Sequence, residues 1–218
     1  MKRLVILISG RGSNLGAILS AWRDCPWPVE IAAVVSNRPA AEGLMLAQSH
    51  GVPIRVVDHQ AFATRDAFDR ALTEEIRGLA PDLVVLAGFM RILSRDFCLE
   101  FAGKLLNIHP SLLPAFRGMR THEQALNAGV KAHGCTVHAV TPDLDHGPIL
   151  AQAVVPVLPN DNAETLALRV LEMEHRLYPM AIAAVLSGRC QLNADRWVDL
   201  GDGNFSHEFA PCIVHPSL

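Results

Sequence analysis

The chain has 218 residues, half of them hydrophobic and 19% charged, with a formal net charge of −3. That is enough apolar side chain for one large core, yet no apolar run approaches the roughly 20 residues that cross a bilayer, and no Lys/Arg cluster interleaves with aromatics along a nucleic-acid track. The five cysteines, Cys25, Cys98, Cys135, Cys190 and Cys212, lack CxxC spacing, which argues against a zinc knuckle or disulfide framework and for a reducing cytoplasm.

Lys2-Arg3 followed by Leu4 to Ile8 has the outline of a miniature export signal, but the apolar stretch is too short and runs into a polar glycine loop, so no export is expected. Leu4 to Ile8 reads instead as a first strand, followed by Ile31 to Val35, Ile54 to Val57, Leu83 to Ala87 and Leu105 to Ile108. All are nearly apolar throughout, as parallel strands covered on both faces are. Between them, Leu15 to Trp22, Ala40 to His50 (stopped by Gly51 and Pro53) and Arg65 to Leu79 read as helices. In the last, Phe68, Leu72, Ile76 and Leu79 form one apolar stripe, a core face and not a cofactor box. The alternation predicts βαβ units in an open, doubly wound sheet.

After Leu106 the character changes. Cys135 to Val140 and Ile149 to Val157 read as two strands around the loop Thr141 to Pro148, expected to pair with each other. A long helix from Asn162 to Leu186 is expected to kink at Pro179, which has no N–H for the ladder. A tail from 191 to 218 contains a predicted hairpin, Trp197 to Phe205, turning at Gly201-Asp202-Gly203.

Directly after the first strand comes Ser9-Gly10-Arg11-Gly12-Ser13-Asn14-Leu15-Gly16. Glycines leading into a helix N-terminus let an anion approach backbone N–H groups without a Cβ in the way. A dinucleotide is disfavoured, because the spacing is GxGxxxG and the second strand ends in Ser36-Asn37-Arg38 without the acid that holds a ribose hydroxyl. Arg38 leaves an NADP-dependent oxidoreductase open. The bland alternative is a tight turn with Ser13 as N-cap.

The fifth strand ends in Asn107-Ile108-His109-Pro110-Ser111-Leu112-Leu113-Pro114. Alternation puts Asn107 and His109 on one face, at the carboxyl edge where open α/β sheets bind ligands. Among ten histidines, one at a strand end is more often structural than catalytic. Asp145 or Asp143 could pair with His109, with His122, His138 and His146 as rival partners, and the residues alone leave that choice open.

The segments Ile8 to Leu15, Leu86-Ala87-Gly88-Phe89-Met90-Arg91-Ile92-Leu93, Leu106 to Pro114 and Asp143-Leu144-Asp145-His146-Gly147-Pro148 resemble the ordered motifs of the glycinamide ribonucleotide formyltransferases, a branch of the folate-dependent formyltransferase superfamily. The likeness runs through nearly all of residues 2 to 190. It implies a single-domain, Rossmann-like formyltransferase fold over 1–190: an open, mostly parallel twisted α/β sheet with helices on both faces and antiparallel additions toward the C-terminus.

The resemblance further implies Asn107, His109 and Asp145 as the chemical centre, Gly12, Ser13 and Asn14 as cradle for the substrate phosphate, and Glu174 near the ribose. The folate, 10-formyltetrahydrofolate as co-substrate with no metal, is expected to meet Arg65, Met90, Arg91, Ile92, Leu93, Asn107, Thr141 and Leu144. His146 departs from the glycine expected there. Partners are expected to be the two small-molecule substrates, with no nucleic acid and no membrane, the protein being a monomer or homodimer. Methionyl-tRNA formyltransferase and formyltetrahydrofolate hydrolase share the Asn-x-His and Asp elements; the short tail after Cys190 and the start at the first strand speak against their extra domains. A non-catalytic nucleotide-binding module is the remaining alternative.

Overall fold

A computed structural model describes residues 1–24, 29–193, 196–199 and 212–213. Packing divides the chain into two compact units, Met1–Asn107 with Val140–Pro142, and Ile108–Ala139 with Asp143–Leu218, so that the boundary falls inside one strand.

The first unit is built on β1 (Lys2–Ile8), β2 (Val29–Ser36), β3 (Ile54–Val56), β4 (Leu83–Leu86) and β5 (Leu105–His109), in spatial order β5-β4-β1-β2-β3. Every pairing in that row is parallel. The helices α1 (Ser13–Asp24), α2 (Glu42–Ser49), α3 (Arg65–Gly78) and α4 (Arg95–Glu100) make the crossovers. Leu4 to Ile8 of the central strand are fully buried, which explains a sequence without alternation. From β1 the chain winds outward through β2 to β3, then returns to β4 and winds the other way. The switch point therefore lies between β1 and β4, and it is there that ligand crevices open at the carboxyl ends of such strands.

Phe68, Leu72 and Ile76 bury the predicted stripe of α3 in a core with Val5, Leu7, Val84 and Phe97. The helix α4 has no counterpart among the elements expected from sequence: it is six residues long, too short for a 3.6-residue period to declare itself, and its start is set by Ser94, whose hydroxyl accepts from the Phe97 N–H.

The second unit carries β6 (Ala132–Ala139) and β7 (Ile149–Pro156), paired antiparallel as expected from Ala132 opposite Pro156 to His138 opposite Ile149. The helix α5 (Thr121–Asn127) precedes β6, and α6 (Ala163–Leu186) packs on both β6 and β7. A reciprocal capping box between Asn162 and Thr165 starts α6, and the helix runs through Pro179 to Leu186. In front of it, Arg169 grips Asp161 with two bonds of 2.7 and 2.9 Å, and that guanidinium holds the Asp161 carboxyl far below the usual carboxylate range.

Beyond α6, β8 (Cys190–Asn193) pairs antiparallel with β9 (Arg196–Asp199), and β10 (Cys212–Ile213) lies parallel to β7. Trp197 thus belongs to a strand paired with the segment before it. The turn expected at Gly201-Asp202-Gly203, and Phe205 beyond it, lie outside the described residues. The fold class is the expected one: a mostly parallel open α/β sheet with antiparallel additions toward the C-terminus.

Candidate active site

In the first unit, two loops leave the carboxyl ends of the strands that flank the switch point. The one after β1 is the glycine loop. Gly12 there has φ +80°, and a Cβ at that position would lie 3.0 Å from the Gly43 Cα. Gly43, in the first turn of α2, is the reciprocal half of this contact: its N–H donates to Gly10 O at 3.1 Å, and a Cβ on it would meet Ile8 Cδ1 at 2.7 Å and Gly10 O at 3.2 Å. Both glycines are there because two backbones touch. α1 opens at Ser13, exposed, and Asn14, buried. The first amides of a helix have no intrahelical acceptor and carry the positive end of its dipole, the property that suits this turn to a phosphate.

The second loop runs from Ala87 to Leu93, and it is tied to the first. Ser9 N–H donates to Gly88 O at 3.2 Å, Met90 N–H donates to the Ser9 hydroxyl at 2.8 Å, and that hydroxyl donates to Asn37 Oδ1 at 2.6 Å. Ser9 and Asn37 are almost wholly buried, so this chain fixes the loops to each other in a dry setting. Beyond it Met90 and Ile92 stand 64% and 60% exposed, an apolar pair that could meet the flat face of a ligand. Arg91 lies over the Phe68 ring, and Arg65 donates to Leu93 O. Thr141, in the same unit, is partly buried.

In the second unit, His109 closes β5. Its Nδ1 is 3.5 Å from Asp145 Oδ2, and the two side chains are only 7% and 8% exposed. Asp143 and His146 are exposed, so among the loop's acids it is Asp145 that reaches the imidazole. Asp145 has φ +49°, a left-handed conformation that side chains other than glycine adopt only where the surroundings hold them. The Gly118 N–H supplies one such hold, donating to Asp145 Oδ2 at 2.9 Å. The other ring nitrogen, His109 Nε2, lies 3.0 Å from Phe116 O. A ring with both N–H groups can donate to both neighbours.

Of the rival histidines, His138 lies on the other side of the same carboxylate, its Nε2 4.0 Å from Asp145 Oδ1 and its Nδ1 2.9 Å from Ala139 O. Burial pushes the His138 pKa down despite those two neighbours. His122 is taken by His133 at 3.2 Å, and burial first, then the neighbouring His122, push His133 down to about 4. Glu174, on α6, is nearly buried, and Leu144 is exposed. Burial, with the Glu174 carboxylate next in size, pushes the Cys135 thiol up; burial does the same for Cys98. Neither thiol is an available nucleophile. No helix among the described residues is long and apolar enough to cross a membrane.

The sequence alone places neither the Phe116 and Gly118 backbone contacts nor the Ser9–Asn37 hydrogen bond and the approach of Gly43 to Gly12. Backbone partners leave no residue-type signal. Ser36-Asn37 at a strand end was a visible signal for Asn37.

A family model described as formyl transferase matches residues 2–182. The phosphoribosylglycinamide formyltransferase of Escherichia coli (strain K12) is 46% identical over 197 residues, 90% of this chain and 93% of that protein. A solved glycinamide ribonucleotide transformylase 1 from Symbiobacterium toebii is 46% identical with a TM-score of 0.88, covering 92% of this chain and 95% of that one. The trifunctional purine biosynthetic protein adenosine-3 of Bos taurus is 47% identical over 190 residues, but this chain spans only 19% of its length.

Proposed function

The chain belongs to the formyl transferase family, and on that premise we propose that it moves the formyl group of 10-formyltetrahydrofolate to the amine of glycinamide ribonucleotide, a step of de novo purine biosynthesis. One observation carries the reading: the buried contact of His109 with Asp145 at the end of the Asn-x-His strand, in a chain alignable with phosphoribosylglycinamide formyltransferases over nearly their whole length.

In this reaction the amine lone pair forms a bond to the formyl carbon, and the carbonyl π electrons move onto oxygen. The tetrahedral carbon then collapses, breaking its bond to the folate N10, which leaves with a proton while the former amine loses one. Two demands follow: donors for the oxyanion and a route for the proton. Asn107 and His109, two apart on β5, supply the donors, the amide N–H of one and an imidazole N–H of the other. The N–H now facing Phe116 O is the one to be shared with, or released to, the developing oxyanion. Asp145 keeps the ring oriented through Nδ1 and assists proton transfer from the attacking amine to N10. A carboxylate held by a backbone N–H on a left-handed residue is fixed before substrate arrives, which is what electrostatic stabilisation requires.

The substrate phosphate is assigned to Gly12, Ser13 and Asn14 and its ribose to Glu174. The folate is assigned to Arg65, the Met90 to Leu93 segment, Asn107, Thr141 and Leu144. The cytoplasm is the expected site of action.

The test is direct. Purified, dialysed protein given 10-formyltetrahydrofolate and glycinamide ribonucleotide is expected to release tetrahydrofolate, followed by absorbance, in proportion to formylated ribonucleotide. Release without the ribonucleotide would make the protein a hydrolase. No release would refute the proposal.

A further inference from the structure

We infer that Asp69, a buried acid of α3, is a positioning residue for folate recognition, clamping the peptide group between Leu93 and Ser94 together with Arg65. The inference rests on the functional reading above and names a further residue for it.

Arg65, Phe68 and Asp69 are spaced i, i+3 and i+4 and so project side by side. All three meet the loop after β4. Arg65 Nη2 donates to Leu93 O, the Arg91 guanidinium carbon lies 5.0 Å from the Phe68 ring centroid, and the Ser94 N–H donates to Asp69 Oδ2 at 2.6 Å. Leu93 C=O and Ser94 N–H are the two ends of one peptide group. A cation therefore holds its acceptor end and an anion its donor end, and the clamping pair is itself joined, Arg65 Nε lying 3.8 Å from Asp69 Oδ2.

Asp69 is out of place unless it does this. Its side chain is 3% exposed while that of Arg65 is 45% exposed, and it is buried with Phe68, Leu72 and Ile76 on the same helix. A buried carboxylate is costly until it finds partners, and the second oxygen of Asp69, Oδ1, has no hydrogen-bond partner among the described residues. The same position filled by a leucine would complete the apolar stripe. What the charge supplies instead is a short, charge-assisted bond that fixes the exit of the 90–93 loop, and a fixed guanidinium facing outward from α3. Ser94 then caps α4, so the clamp also sets where the loop ends. Rigid loops and a pre-oriented arginine are what a planar ligand ending in a carboxylate needs.

The test separates folate binding from the rest. Asp69→Ala is expected to raise the KM for 10-formyltetrahydrofolate about tenfold to a hundredfold, the range set by one hydrogen bond to a charged group, with the ribonucleotide KM within about twofold of wild type. Asp69→Asn keeps shape and acceptor but loses the charge, and should rescue partially, leaving a rise of about fivefold. If the alanine variant does not fold, the asparagine variant alone decides: an unchanged folate KM overturns the inference. So does an equal rise in both KM values, the mark of a merely structural residue. A wild-type protein without folate turnover would overturn the functional reading itself, and this inference with it.

Discussion

In the first unit the groups placed at the switch point are peptide groups and glycines, fixed by buried polar side chains that themselves stay hidden: Ser9, Asn37 and Asp69. The second unit offers titratable side chains instead, His109 and Asp145 with His138 beside them. The first arrangement suits recognition, since backbone amides keep their charge distribution at every pH and cost no side-chain entropy to align. The second suits proton movement, since only ionisable groups can give and take protons. On this account, damage to the backbone loops and their buried supports should appear in KM and damage to the titratable pair in kcat.

The largest effect is expected at His109. His109→Asn should lower kcat about a hundredfold to a thousandfold, the usual loss for one oxyanion donor, with both KM values little changed; steady-state kinetics check it, and a large rise in KM with kcat preserved would erase the contrast between the units. Next comes the glycine contact. Gly12→Val places a branched Cβ on a residue at φ +80° and against the Gly43 Cα, and should raise the ribonucleotide KM tenfold or more while folate KM holds; an equal rise in both would signal misfolding. The smallest effect lies outside the site. Because Arg169 depresses the Asp161 pKa, the pair stabilises the fold above the ordinary carboxylate pKa of about 3.9 and loses that contribution as pH falls toward the depressed value. Arg169→Ala should therefore cost about 1–2 kcal/mol in urea denaturation at neutral pH, with the deficit shrinking below about pH 4 and kcat untouched.

The β1 to β5 alternation was legible because strands buried on both faces are apolar throughout, and the glycine loop because Gly10, Gly12 and Gly16 cluster between a strand and a helix. The Asn-x-His spacing was legible through its resemblance to a family. The choice of Asp145 over Asp143 was not readable from the residues alone: it depends on a left-handed backbone at Asp145 and an amide from Gly118, 27 positions away. Nor was the holding of His109 Nε2 by Phe116, since any residue carries a carbonyl. Asp69 was hidden by its surroundings, one acid among the apolar positions that defined α3 as a core helix.

The claim that the chemistry belongs to the buried His109–Asp145 pair is tested most directly by single-turnover rates of Asp145→Asn and Asp143→Asn at saturating folate and ribonucleotide. Asparagine can still accept from Gly118, so the fold of the loop is kept while the charge beside His109 is lost. The account predicts that Asp145→Asn slows formyl transfer about a hundredfold while Asp143→Asn, an exposed position, stays within about twofold of wild type. A fast Asp145→Asn variant, or a slow Asp143→Asn variant beside it, would contradict the account.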